Sequence, residues 1–116
     1  MTGWRRILSL LVIGATIGPA AAADGYPVAE IVQYVEVCMR DRDGTRQELI
    51  YKCSCVMENL ATALKYDEFI DGLTASRASS VAGERGSTMR DSDDVQKRAR
   101  EFRLLEAKAR RQCFLP

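Results

Sequence analysis

The chain has 116 residues, 17 basic and 16 acidic side chains, four cysteines and no histidine, which is enough for one small domain. Without an imidazole it has no Ser-His-Asp or Cys-His nucleophile system, no His-ligated zinc or copper, no HExxH protease site and no CxxCH haem attachment.

Residues 1–23 read as a secretory signal. Arg5 and Arg6 form a positive start, Ile7 to Gly18 a 12-residue mostly apolar stretch, and Pro19-Ala20-Ala21-Ala22-Ala23 a small-residue cleavage site. The apolar stretch is shorter than the ~20 residues of a spanning helix, so cleavage before Asp24 is expected rather than a retained anchor. Trp4 before the arginine pair and Ile7-Leu8-Ser9-Leu10 after it fit the ordinary secretory route better than the twin-arginine one. Removing 23 residues leaves one helical domain over 24–116, with 15 basic groups, 16 acidic groups and all four cysteines. A domain of 93 residues buries little over ~60% of its unfolded surface and is marginal on its core alone. An even cysteine count in a small exported domain then points to two disulfides.

The first helix is expected over Pro27 to Arg40, with the stripe Val28, Ile31, Val32, Val35, Cys38 and Met39. It ends at Asp41-Arg42-Asp43-Gly44, where Gly44 is available for a left-handed backbone. Thr45-Arg46-Gln47-Glu48 has the form of a capping box, so a second helix is predicted from Arg46 to about Lys65, with the stripe Leu49, Ile50, Cys53, Val56, Met57, Leu60 and Leu64. A later start, with Ser54 as the cap, is the competing reading. Asp67 is the expected cap of a third helix facing inward through Phe69, Ile70, Leu73 and Val81, with Arg77 on the same side. Its small polar run from Thr74 to Ser80 suggests early fraying. Gly83 to Asp91, with two glycines and no periodicity, reads as the long loop. Ser92, followed by Asp93 and Asp94, opens a fourth helix with the stripe Val95, Ala99, Phe102, Leu105, Ala109 and Cys113, and Arg110 and Arg111 in its last turn. No stretch alternates as a strand would, so the fold is expected to be all-α: a small bundle of three to four helices stapled by two disulfides.

On a helix, Cys53 and Cys55 differ by about 200° and face opposite sides. In a hairpin turning near Gly44, Cys38 lies closer in height to Cys53, which favours Cys38 with Cys53 and leaves Cys55 with Cys113. Cys38 with Cys55 and Cys53 with Cys113 is nearly as good, and sequence alone permits three connectivities. A reactive thiol pair at Cys53-Ser54-Cys55, with Lys52 lowering a thiolate pKa, is the redox alternative. The cysteine spacing does not suit structural zinc. The Asp91-Ser92-Asp93-Asp94 and Asp41-Arg42-Asp43-Gly44 runs do not complete a calcium loop. No metal, cofactor or catalytic constellation is expected.

Charge is divided along the chain. Residues 24–94 hold 8 basic and 14 acidic groups, whereas 95–116 hold 7 basic and 2 acidic. A basic helix on an acidic body either pairs internally or offers a docking surface to an acidic protein or anionic membrane. Aromatics are not interleaved with the charges, which argues against nucleic acid. Arg85 and Arg90 in the loop, with Arg98, Arg103 and Arg110 on the fourth helix, form the expected partner-binding set. Leu104 is an apolar residue on the otherwise charged side and an available anchor.

Tyr51-Lys52-Cys53-Ser54-Cys55, the run from Gly83 to Asp91 and the pair Cys113-Phe114 resemble a group of small exported proteins, some of which accompany periplasmic quinoprotein alcohol dehydrogenases in proteobacteria. The resemblance implies a setting, not catalytic or binding residues. In size, export and helical build the chain is also similar to small periplasmic acid-stress chaperones, whose single disulfide it does not share. The reading from sequence is thus a periplasmic, non-enzymatic accessory protein that binds a protein partner.

Overall fold

The computed structural model describes residues 25–80, 83, 87–88 and 90–116. The expected signal 1–23, Val81 and Arg85 lie outside the described residues. Helices α1 (Val28–Met39), α2 (Arg46–Ala63), α3 (Tyr66–Ala78) and α4 (Asp93–Gln112) form the bundle, with no strand among the described residues. Two disulfides, Cys38–Cys53 and Cys55–Cys113, staple it.

Pro27 caps α1, and its carbonyl accepts from the Glu30 and Ile31 amides at 3.0 and 3.2 Å. The inward stripe is Ile31, Tyr34, Val35 and Cys38, with Tyr34 buried. Val28 and Val32, expected inside, are 62% and 54% exposed. The helix is turned because the Tyr34 ring packs edge-on against Phe69 at 5.8 Å while its hydroxyl reaches Glu106 at 2.7 Å, an amphipathic role that a count of aliphatic residues overlooks. After α1 the left-handed residue is Asp41 (φ 59), directly following the C-cap Arg40, while Gly44 (φ 141) precedes the next helix.

Helix α2 starts where the capping signal places it, not at Ser54. Thr45 Oγ1 accepts from the Glu48 amide at 3.3 Å, and the Glu48 carboxylate takes Lys52 Nζ at 2.6 Å. Its buried face is Leu49, Cys53, Val56, Met57 and Leu60. Helix α3 begins two positions earlier than expected, at Tyr66 with Lys65 in place of Asp67 as its cap, because the Glu68 carboxylate accepts the Lys65 amide at 2.8 Å. The small residues of α3 are packing groups rather than a frayed end. Gly72, Ala75 and Ala78 are buried, and the helix holds to Ala78, while Arg77, expected inward, is exposed. In place of a featureless loop, Ser87, Thr88 and Arg90 are helical, and the Asp91 amide donates to the Ser87 carbonyl at 2.8 Å.

Helix α4 buries Ala99, Phe102 and Ala109, and its most extensive contact is with α3. A Cβ on Gly72 would lie 2.6 Å from Phe102 Cδ2 and 3.0 Å from Phe102 Cβ and Cγ, so glycine is what allows the two helices to approach. The Leu115 amide donates to the Arg110 carbonyl at 2.9 Å and the Phe114 amide to the Arg111 carbonyl at 3.3 Å, a Schellman ending. Phe114 holds the left-handed position (φ 54) that glycine usually takes, with its ring 82% exposed.

Phe69, fully buried, joins the layers. Its ring lies 5.4 Å from Tyr26, 5.8 Å from Tyr34 and 5.8 Å from Phe102. Tyr26, absent from the sequence-derived core, is also fully buried, with its hydroxyl donating to the Leu64 carbonyl at 2.9 Å. Alanine at position 72 would gain about 1 kcal/mol of helix propensity but overpack Phe102. Gly72→Ala is therefore expected to destabilise by about 0–2 kcal/mol net in urea unfolding, and a stabilised variant would contradict the close approach.

Candidate functional site

The chemistry-bearing sulfurs come first. Cys53, fully buried, bonds Cys38, and Cys55, half-buried, bonds Cys113, so the two cysteines of the Cys53-Ser54-Cys55 run enter separate bridges. The end of α4 covers the polar side of α2 on which Cys55 lies, and Asn59 Nδ2 donates toward Cys113 Sγ at 3.1 Å and Cys55 Sγ at 3.7 Å. No free cysteine stands among the described residues, nor a group of His, Cys, Asp or Glu that could hold a metal ion. No helix among them is long and apolar enough to cross a membrane. Two disulfides are compatible with an exported protein in an oxidising compartment.

The second feature is the outer face of α4. Opposite Ala99, Phe102 and Ala109, an exposed row runs through Lys97, Arg100, Leu104, Lys108 and Arg111, spaced for one side of a helix. Leu104, 70% exposed, sits at its centre with cations on both sides. Among the described residues three ion pairs form within 4 Å: Arg46–Glu36 at 3.7 Å, Lys52–Glu48 at 2.6 Å and Arg110–Glu106 at 3.3 Å. Only Arg110 of the α4 cations takes part, and its partner is on α4 itself. Internal neutralisation of this helix by the acidic body is thus not what these contacts provide.

The expected docking arginines do not share that row. At ~100° per residue, Arg98 stands some 120–140° from Arg103 and Arg110 around the helix. It lines a groove with Glu68, Asp71 and Glu101, whereas Arg103 donates to Ser79 Oγ at 2.8 Å and Arg110 is bound to Glu106. Arg90 lies off the helix and donates to the Gly83 carbonyl at 3.3 Å; Arg85 lies outside the described residues. Reading α4 by its period rather than by charge alone selects the row, and Leu104 was its marker in the sequence.

On the inner edge of α4, Glu106 accepts from the Tyr34 hydroxyl at 2.7 Å and pairs with Arg110. Burial above all, then the Glu106 charge and the hydrogen bond to it, push the Tyr34 phenol far above its ordinary value, against smaller opposing effects of Arg110 and Arg42.

No protein family, curated protein or solved structure matches the chain. The fold and its surface define a class: a small disulfide-stapled helical bundle whose outer helix carries a row of cations that form no ion pair among the described residues.

The unfolded chain releases the Tyr34 proton near pH ~10 and the folded one retains it. The stability this contributes is therefore fully present below about pH 10 and declines as pH rises above it. Tyr34→Phe is expected to cost about 1–2 kcal/mol at neutral pH through loss of a hydrogen bond to a charged acceptor, and to show a shallower loss of stability above pH ~10. Denaturant unfolding at neutral and alkaline pH measures both, and parallel declines in the two proteins would count against this role for the phenol.

Proposed function

We propose that this is an exported, non-enzymatic accessory protein of the periplasm that docks on an acidic face of another exported protein through α4. The observation that carries the reading is the row of Lys97, Arg100, Lys108 and Arg111 around exposed Leu104, none of them ion-paired with a described residue. Four cations steer an acidic partner and set its register. An apolar side chain between them supplies the desolvated anchor that charge alone lacks.

The periplasmic setting rests on the signal-like segment 1–23 and on the two bridges. The resemblance to small exported proteins makes a quinoprotein alcohol dehydrogenase the class of partner to examine first. The thiol-redox alternative at Cys53-Ser54-Cys55 gains no support from the geometry, because a dithiol pair needs the two sulfurs to face one another and each is bonded elsewhere.

A photoreactive residue in place of Leu104, irradiated in living cells, is expected to give a discrete adduct with an acidic exported protein. That adduct should disappear in an Arg100→Glu, Lys108→Glu variant. No adduct, or one indifferent to the charge reversal, would refute the docking face.

A further inference from the structure

Away from the outer row of α4, a cavity of about 370 Å³ opens where the end of α1, the exposed edge of α3 and the last turns of α4 meet. Four guanidinium groups line it: Arg40 and Arg42 from the turn after α1, Arg77 from α3 and Arg110 from α4, against the carboxylates of Asp41 and Glu106. They are brought together by tertiary structure, since three separate elements contribute.

Their hydrogen bonds are unevenly satisfied. Arg42 is fixed, with Nε donating to the Cys38 carbonyl and a terminal nitrogen to the Pro116 carbonyl, both at 2.6 Å. Glu106 is also spent, on the Tyr34 hydroxyl and on one terminal nitrogen of Arg110. Arg40 and Arg77 have no acceptor among the described residues. Arg110 Nε is buried with no acceptor among the described residues, a state that ordinarily costs about 1–3 kcal/mol. The cavity therefore holds a surplus of fork-shaped donors and of positive charge, the pattern that matches the paired oxygens of a carboxylate or phosphate.

The walls are preformed. The Cys38–Cys53 bridge pins the end of α1, and Asp41 in the left-handed region makes the bend between Arg40 and Arg42. Tyr34, Val37 and Leu73 complete the lining, giving an apolar flank for a short carbon body. The volume falls at the lower end of that of small-molecule sites.

We propose that this cavity is a binding site for a small organic oxyanion, a carboxylate or phosphate ester, held by Arg40, Arg77 and Arg110. The site is separate from the docking row of α4 and does not depend on it.

The test uses the oxidised exported protein and follows backbone and arginine Nε–H resonances while inorganic phosphate, and separately succinate, is added at constant ionic strength. Saturable shifts centred on Tyr34, Arg40, Arg77 and Arg110 are expected. Arg40→Gln and Arg77→Gln should each weaken binding by about tenfold, the value of one charge-assisted contact, whereas Arg100→Gln on the outer row should leave it unchanged. Tighter binding of phosphate identifies a phosphate ester as the natural class and tighter binding of succinate a carboxylate; either supports the site. Shifts that do not saturate, that spread over the outer row of α4, or that persist unchanged in Arg77→Gln would overturn it.

Discussion

Cys53 and Cys55 lie two positions apart, and on a helix that step sends their side chains to opposite sides of α2. One bridge leaves toward α1 and the other toward the end of α4, so α2 is clamped from both directions. The bridged cysteines are separated by 15 positions in the first case and 58 in the second. Loop-closure entropy makes the first worth about 3 kcal/mol and the second about 4. Against a total of about 5–15 kcal/mol for an ordinary domain, these are large contributions. Helix α3 carries no sulfur; Phe69 and the close approach at Gly72 hold it. Each bridge has one end in the buried cluster, at Cys53 and at Cys113, and the aromatic cluster around Phe69 organises the rest.

The same clamp determines which side of α4 faces outward. With Cys113 tied to Cys55 and the helix seamed to α3 through Ala99 and Phe102, its rotation is fixed and Lys97, Arg100, Leu104, Lys108 and Arg111 are left on the outside. At the other end of the clamp, the bridge from Cys38 holds the bend that brings Arg40 and Arg42 to the cavity shared with Arg77 and Arg110. Both proposed surfaces thus follow from how the sulfurs position two helices.

The cysteine pairing was legible in the sequence because it reduces to angle and height on two helices, although the alternative pairing stayed close. The buried faces of α2 and α4 were legible for the same reason: aliphatic residues and cysteines repeat at helical spacing with nothing larger competing. Helix α1 was misjudged because one tyrosine, buried by its ring and satisfied by Glu106 through its hydroxyl, outweighs two valines in setting the rotation. Tyr26 was missed on similar grounds, since it precedes the helix and belongs to no period. In α3, Phe102 packs against Gly72, and Ala75 and Ala78 of the run that suggests weak helicity are buried within the helix, an effect of tertiary contact on local preference. The outer row of α4 could be read from its period, with Leu104 as the signal. The arginine cavity could not, because it exists only once α1, α3 and α4 meet.

Comparing the thermal unfolding of the oxidised protein with that of the same protein reduced and alkylated tests the role of the sulfur clamp most directly. The account predicts that the reduced form melts far lower or has lost its cooperative transition altogether. Coincident melting curves would contradict it, and with it the claim that the basic face and the arginine cavity owe their geometry to the two bridges.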